Sequence, residues 1–288
     1  MTLSTSKTYS YAFLLPAAAV YLLFFLVPTA MSFFFALTRW SLSEWTFTGM
    51  ENLRMFFSES SLSIGFRNTL IYATVTCSLK VIFGFFLAAF LCTELRTKNF
   101  LRSMIFFPTI LSTIAVGITF SSLMHPGRGV FNVALGALGL DGPDWLGNPS
   151  IALLSVALVD VWKGVGFATV IYIAGIQAIP RQYYEAVMID GGSSIHKLRY
   201  ITLPLSRPAM NTVILLAFIG GLRSFDLVWT MTRGGPGFTT DLIASIIYKQ
   251  YQAGFYGLAT AGNVLLFLFV SALAVPLSVF LSKSEVNL

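Results

Sequence analysis

The sequence predicts an all-α, polytopic membrane protein whose chain crosses the bilayer about six times. Hydrophobic residues make up 56% of the chain and charged residues only 10%, with a mean hydropathy of +0.78. A soluble domain is typically about 45–50% apolar and about 25% charged. Several apolar runs also exceed the roughly 18 residues that suffice to cross a bilayer as a helix. Composition and run length together exclude a soluble globule.

Six apolar segments are long enough to span. The first is too long for the core of a signal peptide and has no clean cleavage site before a polar mature domain, so we predict that it is retained. Prolines fall inside three of the segments, and membrane helices tolerate them as kinks. The predicted spans are residues 11–37, 68–91, 101–124, 151–176, 209–231 and 256–281.

Lysine and arginine residues at the ends of the spans predict the orientation, because cytoplasmic loops carry an excess of both. With the amino terminus inside, nine basic residues fall on the cytoplasmic side and six on the outer side. The short basic connection 93–100 supports this orientation, so we expect both termini in the cytoplasm. The inner set is Lys7, Arg96, Lys98, Arg102, Arg181, Lys197, Arg199, Arg207 and Lys283, and the outer set is Arg39, Arg54, Arg67, Arg128, Arg233 and Lys249.

Charged residues inside the predicted spans need an explanation, because each costs at least about 2.5–3.5 kcal/mol at the bilayer centre. Asp160 and Lys163 are spaced i, i+3, and so are Arg223 and Asp226. Each pair could therefore neutralise itself on its own helix. The fifth such residue, Lys80, has no partner at helical spacing.

The longest polar interruption in the second half of the chain is residues 176–208. Pro180 predicts a helix that begins at Arg181, and the glycine pair at 191–192 predicts its end. A serine at position 193 or 194 would cap a second helix, which Pro204 would terminate. We therefore expect a short helical hairpin between two spans.

The first helix of this hairpin is predicted to be amphipathic. Tyr184, Val187 and Met188 share one face at i, i+3, i+4 spacing, with Glu185 and Asp190 off that face. The pattern predicts an apolar ridge available to a partner protein.

The same stretch resembles the cytoplasmic coupling motif of ATP-binding-cassette (ABC) import permeases. Glu185 and Ala186 are followed by Asp190 and Gly191 at the spacing of that motif, and residues 201–204 read ITLP. The preceding residues 174–180, AGIQAIP, are similar to the carbohydrate-uptake branch of the family, which holds the maltose and glycerol-phosphate importers.

Two positions depart from the motif. Val187 and Gly192 stand where the family usually has alanine, and both keep a small or apolar residue. Similar stretches occur in the outer loops, at 126–132, 145–146 and 234–240, so the resemblance covers nearly the whole chain.

The resemblance implies a type I ABC importer permease fold, as a single transmembrane permease domain over residues 1–288 with core spans at 68–281 and a coupling segment at 180–208. It implies a bacterial or archaeal cytoplasmic membrane and three kinds of partner: a second permease subunit, two cytoplasmic ATPase subunits, and an extracytoplasmic sugar-binding protein. We expect contact with membrane lipid and none with nucleic acid. The residues implied in ATPase coupling are Tyr184, Glu185, Ala186, Val187, Met188, Asp190 and Gly191.

Catalytic motifs are absent from the sequence, which contains no Walker A loop, no Ser-His-Asp arrangement and no array of metal ligands. We therefore expect no enzyme activity, no metal site and no cofactor in this chain. ATP and Mg²⁺ would be bound by the partner ATPase.

The fourth and fifth spans suggest a substrate site. One face of the fourth span combines hydrogen-bonding groups, a gap and an aromatic ring, a mixture that suits sugars. The fifth span carries a second small, partly polar face. The family resemblance implies that both faces line the substrate cavity, although the residue types differ and helix packing explains the glycines of the fifth span equally well. The predicted substrate residues are Asp160, Lys163, Gly164, Phe167, Gly220, Gly221 and Ser224.

The favoured function is therefore that of the permease subunit of a carbohydrate ABC importer. Two alternatives stay open. The charged residues of the spans could form the ion relay of a secondary sugar transporter. Within the importer class, they also allow a charged sugar or a glycerol phosphate as substrate.

Overall fold

A computed structural model of the chain describes residues 11–41, 44–58, 60–94 and 96–283. In these ranges the regular structure is helical except for one two-stranded antiparallel ribbon, which confirms the all-α fold class. Lys7 and both chain termini, on which part of the orientation prediction rests, lie outside the described residues.

The elements of the described residues follow one another along the chain as helices joined by short connections. A 3₁₀ turn, Tyr11–Leu14, precedes the first helix, and π-helical segments, Leu22–Leu26 and Leu198–Thr202, join α1 to α2 and α10 to α11. The strands are β1 (Thr38–Trp40) and β2 (Trp45–Phe47). The helices are α1 (Leu15–Tyr21), α2 (Val27–Phe35), α3 (Glu51–Ser58), α4 (Ser60–Leu91), α5 (Lys98–Ile110), α6 (Thr113–Leu123), α7 (Val130–Ala137), α8 (Ala152–Gln177), α9 (Arg181–Ile189), α10 (Ser194–Lys197), α11 (Leu203–Leu205), α12 (Arg207–Leu222), α13 (Asp226–Met231), α14 (Ile243–Gln252) and α15 (Tyr256–Ser282).

Four helical stretches of the described chain are each long and apolar enough to cross a membrane. They are the continuous run Leu15–Phe35, helix α4, helix α8 and helix α15. Two bent pairs, α5 with α6 and Ser194–Leu205 with α12, raise the number of spans to six if each pair is one span. The predicted number of about six spans therefore agrees with the structure.

Two predicted spans are not continuous helices. The third bends by 96° between α5 and α6, where Leu111 and Ser112 are extended. Pro108 contributes to this break, because it lacks an N–H for the last turn of α5. The fifth predicted span stops at Leu222 and resumes as α13 at Asp226.

The described residues form two compact units. The first unit falls within residues 1–59 and 247–265, and contains the β-ribbon and α3. Its buried Asn52 donates hydrogen bonds from its amide to the carbonyls of Ala36 (3.0 Å) and Thr38 (2.7 Å). Phe56 packs at Gly262, where an added Cβ would lie 2.6 Å from the ring. These contacts hold α3 against the start of β1 and against the first half of α15.

The second unit falls within residues 60–246 and 266–288, and α4 packs in it against α8 and α12. Small residues allow these helices to approach closely. At Gly84 an added Cβ would lie 2.9 Å from the Cβ of Ala168, and at Gly166 it would overlap the backbone of α5. The prediction of a single permease domain stays a prediction.

Candidate functional site

A cross-helix ion pair lies at the centre of the predicted substrate region. The Nζ of Lys80 on α4 lies 2.7 Å from the Oδ2 of Asp160 on α8, and the two side chains are only 12% and 23% exposed. Asp160 is thus neutralised from a neighbouring helix, so its expected pairing with Lys163 is wrong. Two charges in apolar surroundings are stabilised when they pair with good geometry.

Gly164 makes this ion pair possible. An added Cβ at that position would lie 2.7 Å from the Cε and 3.1 Å from the Nζ of Lys80. The gap that the sequence predicts on this face of α8 is therefore filled by the Lys80 side chain.

Tyr72 extends this cluster of polar side chains from α4 and α8 to Ser224, which follows the end of α12. It lies eight residues, about two turns, before Lys80 and is fully buried. Its hydroxyl lies beside the side chains of Asp160 and Ser224, but makes no well-formed hydrogen bond among the described residues. We call Lys80, Asp160, Tyr72 and Ser224 the polar band.

The other predicted substrate residues divide into open and packed positions. Phe167 is 48% exposed, and Lys163 is half-buried with no ion pair within the described ranges. At Gly220 an added Cβ would meet nothing within 4 Å, whereas at Gly221 it would lie 2.6 Å from the Cα of Ala73. Gly221 therefore packs against α4, and Gly220 faces open space.

The second predicted charge pair is not formed on one helix. Arg223 terminates α12 and Asp226 begins α13, with a helix break between them. Both residues are exposed, and in the ranges described they make no ion pair within 4 Å. The expected i, i+3 neutralisation is wrong here because it requires a continuous helix.

Sequence reasoning did not assign Lys80 or Tyr72 to the site. The available signal was that Tyr72, Thr76 and Lys80 recur at i, i+4, i+8 and therefore lie on one polar face of an apolar helix. What the sequence lacked was the register between α4 and α8, which brings Lys80 to Asp160.

The helical hairpin forms largely as expected. Helix α9 begins at Arg181 directly after Pro180 and ends before Gly191, whose φ of +74° suits glycine. Ser193 caps α10 in a reciprocal arrangement with His196.

The predicted end of the hairpin at Pro204 is one residue early. Helical structure continues through Pro204 to Leu205 and stops at Ser206. The π-helical segment Leu198–Thr202 directly before it is the kind of local adjustment that accommodates a proline inside a helical run.

The hairpin buries part of the face that was predicted as a docking ridge. The hydroxyl of Tyr184 lies 3.1 Å from Oγ1 of buried Thr202, and an added Cβ at Gly192 would overlap the Cγ1 of Val187. Tyr184 and Val187 thus close the hairpin internally, and both are half-buried. The other predicted coupling residues, Glu185, Ala186, Met188, Asp190 and Gly191, are exposed.

The apolar surface that the hairpin presents shares only Met188 with the predicted face. Met188 is 53%, Ile189 87% and Ile195 74% exposed. We call these three residues the exposed ridge. Large aliphatic side chains at such exposure mark a surface that another protein or a membrane covers.

Comparisons with known proteins agree on one family. Residues 80–282 match the family described as binding-protein-dependent transport system inner membrane component. The chain is 33% identical over 262 residues to the trehalose/maltose transport system permease protein MalF of Thermococcus litoralis, covering 90% of this chain and 89% of the relative. It is 28% identical over 283 residues to the multiple sugar-binding transport system permease protein MsmF of Streptococcus mutans, covering 96% of each.

Among solved structures, the chain resembles a subunit of a bacterial ABC transporter involved in the import of the acidic polysaccharide alginate. The TM-score is 0.81 at 22% identity, with 95% of this chain and 93% of that chain covered. This likeness confirms the predicted type I importer permease fold.

Proposed function

The chain belongs to the binding-protein-dependent transport system inner membrane component family, and from this premise we propose that it carries a carbohydrate across the membrane as the permease subunit of an ABC importer. The names of the relatives support a saccharide substrate, since they include a trehalose/maltose system and a multiple sugar system. A binding protein delivers the substrate in this family, and ATP hydrolysis takes place in a separate subunit.

The observation that carries the proposal is the hairpin α9–α11. It joins α8 to α12, two span-forming helical segments that both pack against α4. It carries an exposed acidic residue, Glu185, and the exposed ridge, so it offers both a charge and an apolar surface to a partner. A rigid helical segment between two packed helices can transmit a displacement from a partner to the helix bundle.

We infer that the hairpin inserts into a cytoplasmic ATPase subunit. Closure of the ATPase pair on ATP would move the hairpin and tilt α8 and α12 together. The bundle would then change between inward-open and outward-open arrangements, which is alternating access driven at a remote interface. The ridge supplies apolar contact, and Glu185 pairs with a basic residue of the ATPase.

Substrate would pass the polar band and the open residues beside it. Phe167 offers an aromatic face to the C–H surface of a sugar ring, and the uncommitted Tyr72 hydroxyl offers a hydrogen bond. Lys163, which forms no ion pair within the described ranges, adds a cation on the same face of α8. A second permease subunit would cover the side of the polar band that Gly220 leaves open, and the substrate cavity would form between the two subunits.

An ion-coupled secondary transporter is a weaker alternative. Such a relay requires titratable groups that exchange protons or ions along a path. Asp160 is held instead in an ion pair with Lys80, and the exposed ridge has no role in that mechanism.

Replacing Glu185 by lysine tests the proposal. Glu185→Lys should leave the permease inserted in the membrane but sharply reduce substrate uptake and co-purification of the ATPase. Glu94→Lys, the same charge reversal at an exposed residue outside the hairpin, is the matched control and should retain both. Normal uptake by Glu185→Lys would refute the coupling role.

A further inference from the structure

A cavity of about 730 Å³ in the first unit has no role in the transport mechanism proposed above. The chain between α2 and α3 contributes Arg39 and Trp40 to it, and α3 contributes Asn52 and Arg54. The first turn of α15, beginning at Tyr256, forms its floor. All of these residues belong to the same compact unit.

The cavity lies at the level of lipid headgroups. Helix α15 has 27 residues, which corresponds to about 40 Å at 1.5 Å per residue and exceeds the roughly 30 Å of the hydrocarbon core. The excess of about 10 Å lets an end of α15 reach the headgroup region, and the Trp40–Tyr256 ring contact at its first turn favours that end, because Trp and Tyr collect at the interface.

Several exposed aromatic residues belong to the same compact unit as the cavity. Trp45 is 56%, Phe47 65%, Phe57 61% and Phe255 59% exposed. Tryptophan and other aromatic side chains collect at membrane–water interfaces, where an apolar ring and a polar edge are both accommodated. Their number on this one unit indicates that it lies in the interface itself.

Among the described residues that line it, the cavity carries one uncompensated positive charge. Arg39 pairs with Glu51 at 2.9 Å, so these two charges cancel. Arg54 is exposed and forms no ion pair among the described residues. The guanidinium group suits phosphate oxygens particularly well, because it can donate two parallel hydrogen bonds to them.

One residue that lines the cavity, Trp40, carries an unused hydrogen-bond donor. The Nε1–H of Trp40 is buried and has no acceptor in the described part of the chain. The amide of Asn52 is already committed to backbone carbonyls of Ala36 and Thr38. A ligand with one negative charge would pair with Arg54, and an acceptor oxygen that reaches the indole would satisfy Trp40.

We propose that this cavity binds the phosphodiester of a membrane phospholipid. A phosphodiester carries a single negative charge, which balances the net charge of +1 that Arg39, Glu51 and Arg54 give the described lining. Its acyl chains would run along the apolar surface of α1 and α2, which is exposed over its whole length from Leu14 to Val27. A neutral saccharide lacks the charge, and an acidic saccharide or a soluble phosphate lacks the chains.

Lipid binding can be measured by native mass spectrometry on the purified, delipidated transporter complex, titrated with dioleoyl phosphatidylglycerol. Arg54→Gln should weaken binding about tenfold, the effect of one lost charge-assisted hydrogen bond, or about 1.4 kcal/mol. Trp40→Phe, which keeps the ring and removes the donor, should weaken it by a smaller factor. Arg128→Gln, an exposed arginine outside this unit, should have no effect.

Competing ligands distinguish the possible occupants. Glycerol 3-phosphate at the same concentration should not displace the lipid, because it lacks acyl chains, and maltose should not displace it either. Equal lipid retention by the wild type and Arg54→Gln would overturn the proposal. Displacement by glycerol 3-phosphate would assign the cavity to soluble phosphates, and displacement by maltose would assign it to sugars.

Discussion

The Lys80–Asp160 ion pair gives the most quantitative prediction. Replacing Lys80 by methionine keeps most of the side-chain volume but leaves Asp160 without its counter-charge between two packed helices. Both side chains are less than a quarter exposed, so solvent screens the remaining charge poorly. Removing one partner of a buried pair costs about 3–5 kcal/mol. Lys80→Met should therefore destabilise the permease by about that amount.

Removing both charges should restore most of the stability. A buried ion pair replaced by uncharged groups of similar size is often neutral, because neither charge then needs a partner. Lys80→Met with Asp160→Asn should lie within about 1 kcal/mol of wild type. The coupling energy of the double-mutant cycle should therefore be at least about 2–3 kcal/mol.

The assay is equilibrium unfolding of the purified complex in mixed detergent micelles, followed by tryptophan fluorescence. Gly164→Ala probes the same contact, since the new methyl group would displace the end of Lys80, and it should be intermediate in stability. If Lys80→Met cost less than about 1 kcal/mol, or if the two substitutions were additive, the ion pair would not stabilise the bundle.

Three further predictions concern the hairpin, a predicted substrate residue and the packing of α12 against α4. Gly192→Ala should destabilise the hairpin and reduce ATPase co-purification, because its methyl group overlaps the side chain of Val187 and lies 2.9 Å from the carbonyl oxygen of Val187; adding Val187→Ala removes only the first contact and should restore part of the loss. Lys163→Ala should change which saccharides are taken up while stimulation of ATP hydrolysis by the binding protein survives; loss of assembly would contradict this role. Gly221→Val should prevent close helix packing and lower the amount of folded protein, whereas Gly220→Val should fold and alter transport only.

The parts of the fold that the sequence predicts well are those that depend on local composition. A span needs only length and apolarity, so α4, α8 and α15 were recognisable. Helix α9 was equally recognisable, because Pro180 and Gly191 fix its ends through backbone constraints that act within a few residues.

The breaks in the third and fifth spans depend instead on packing between distant segments. At Gly117 on α6, an added Cβ would lie 2.8 Å from the side chain of Thr230 on α13. Helix α13 contacts α6 only because the chain turns after Leu222, and nothing in either segment alone predicts that contact.

The candidate site was predicted in part for the same reason. The polar face of α8 was visible as a periodic pattern, so Asp160 was correctly singled out as a residue that needs an explanation. The sequence offered Lys163 as its partner because only spacing along one helix could be read. Lys80 lies 80 residues away in the sequence, and only the register between two helices brings it to Asp160.

A contact between the two residues also explains the departures from the family motif at positions 187 and 192. Val187 and Gly192 each differ from the usual alanine, and they touch one another across the hairpin. A larger residue at one position is accommodated by a smaller one at the other. Each position alone departs from the motif, and together the two keep the volume of the turn nearly constant.

The central claim is that the hairpin contacts a nucleotide-hydrolysing partner on the inner side of the membrane. It can be tested with one cysteine at Ile195 of the exposed ridge, in a chain whose Cys77 and Cys92 are replaced by alanine. In cells that lack the ATPase, a membrane-impermeant maleimide should label this residue only after the cells are permeabilised. In permeabilised cells that also produce the ATPase, assembly should protect the residue from labelling. Labelling in intact cells, or equal labelling with and without the ATPase, would contradict the account.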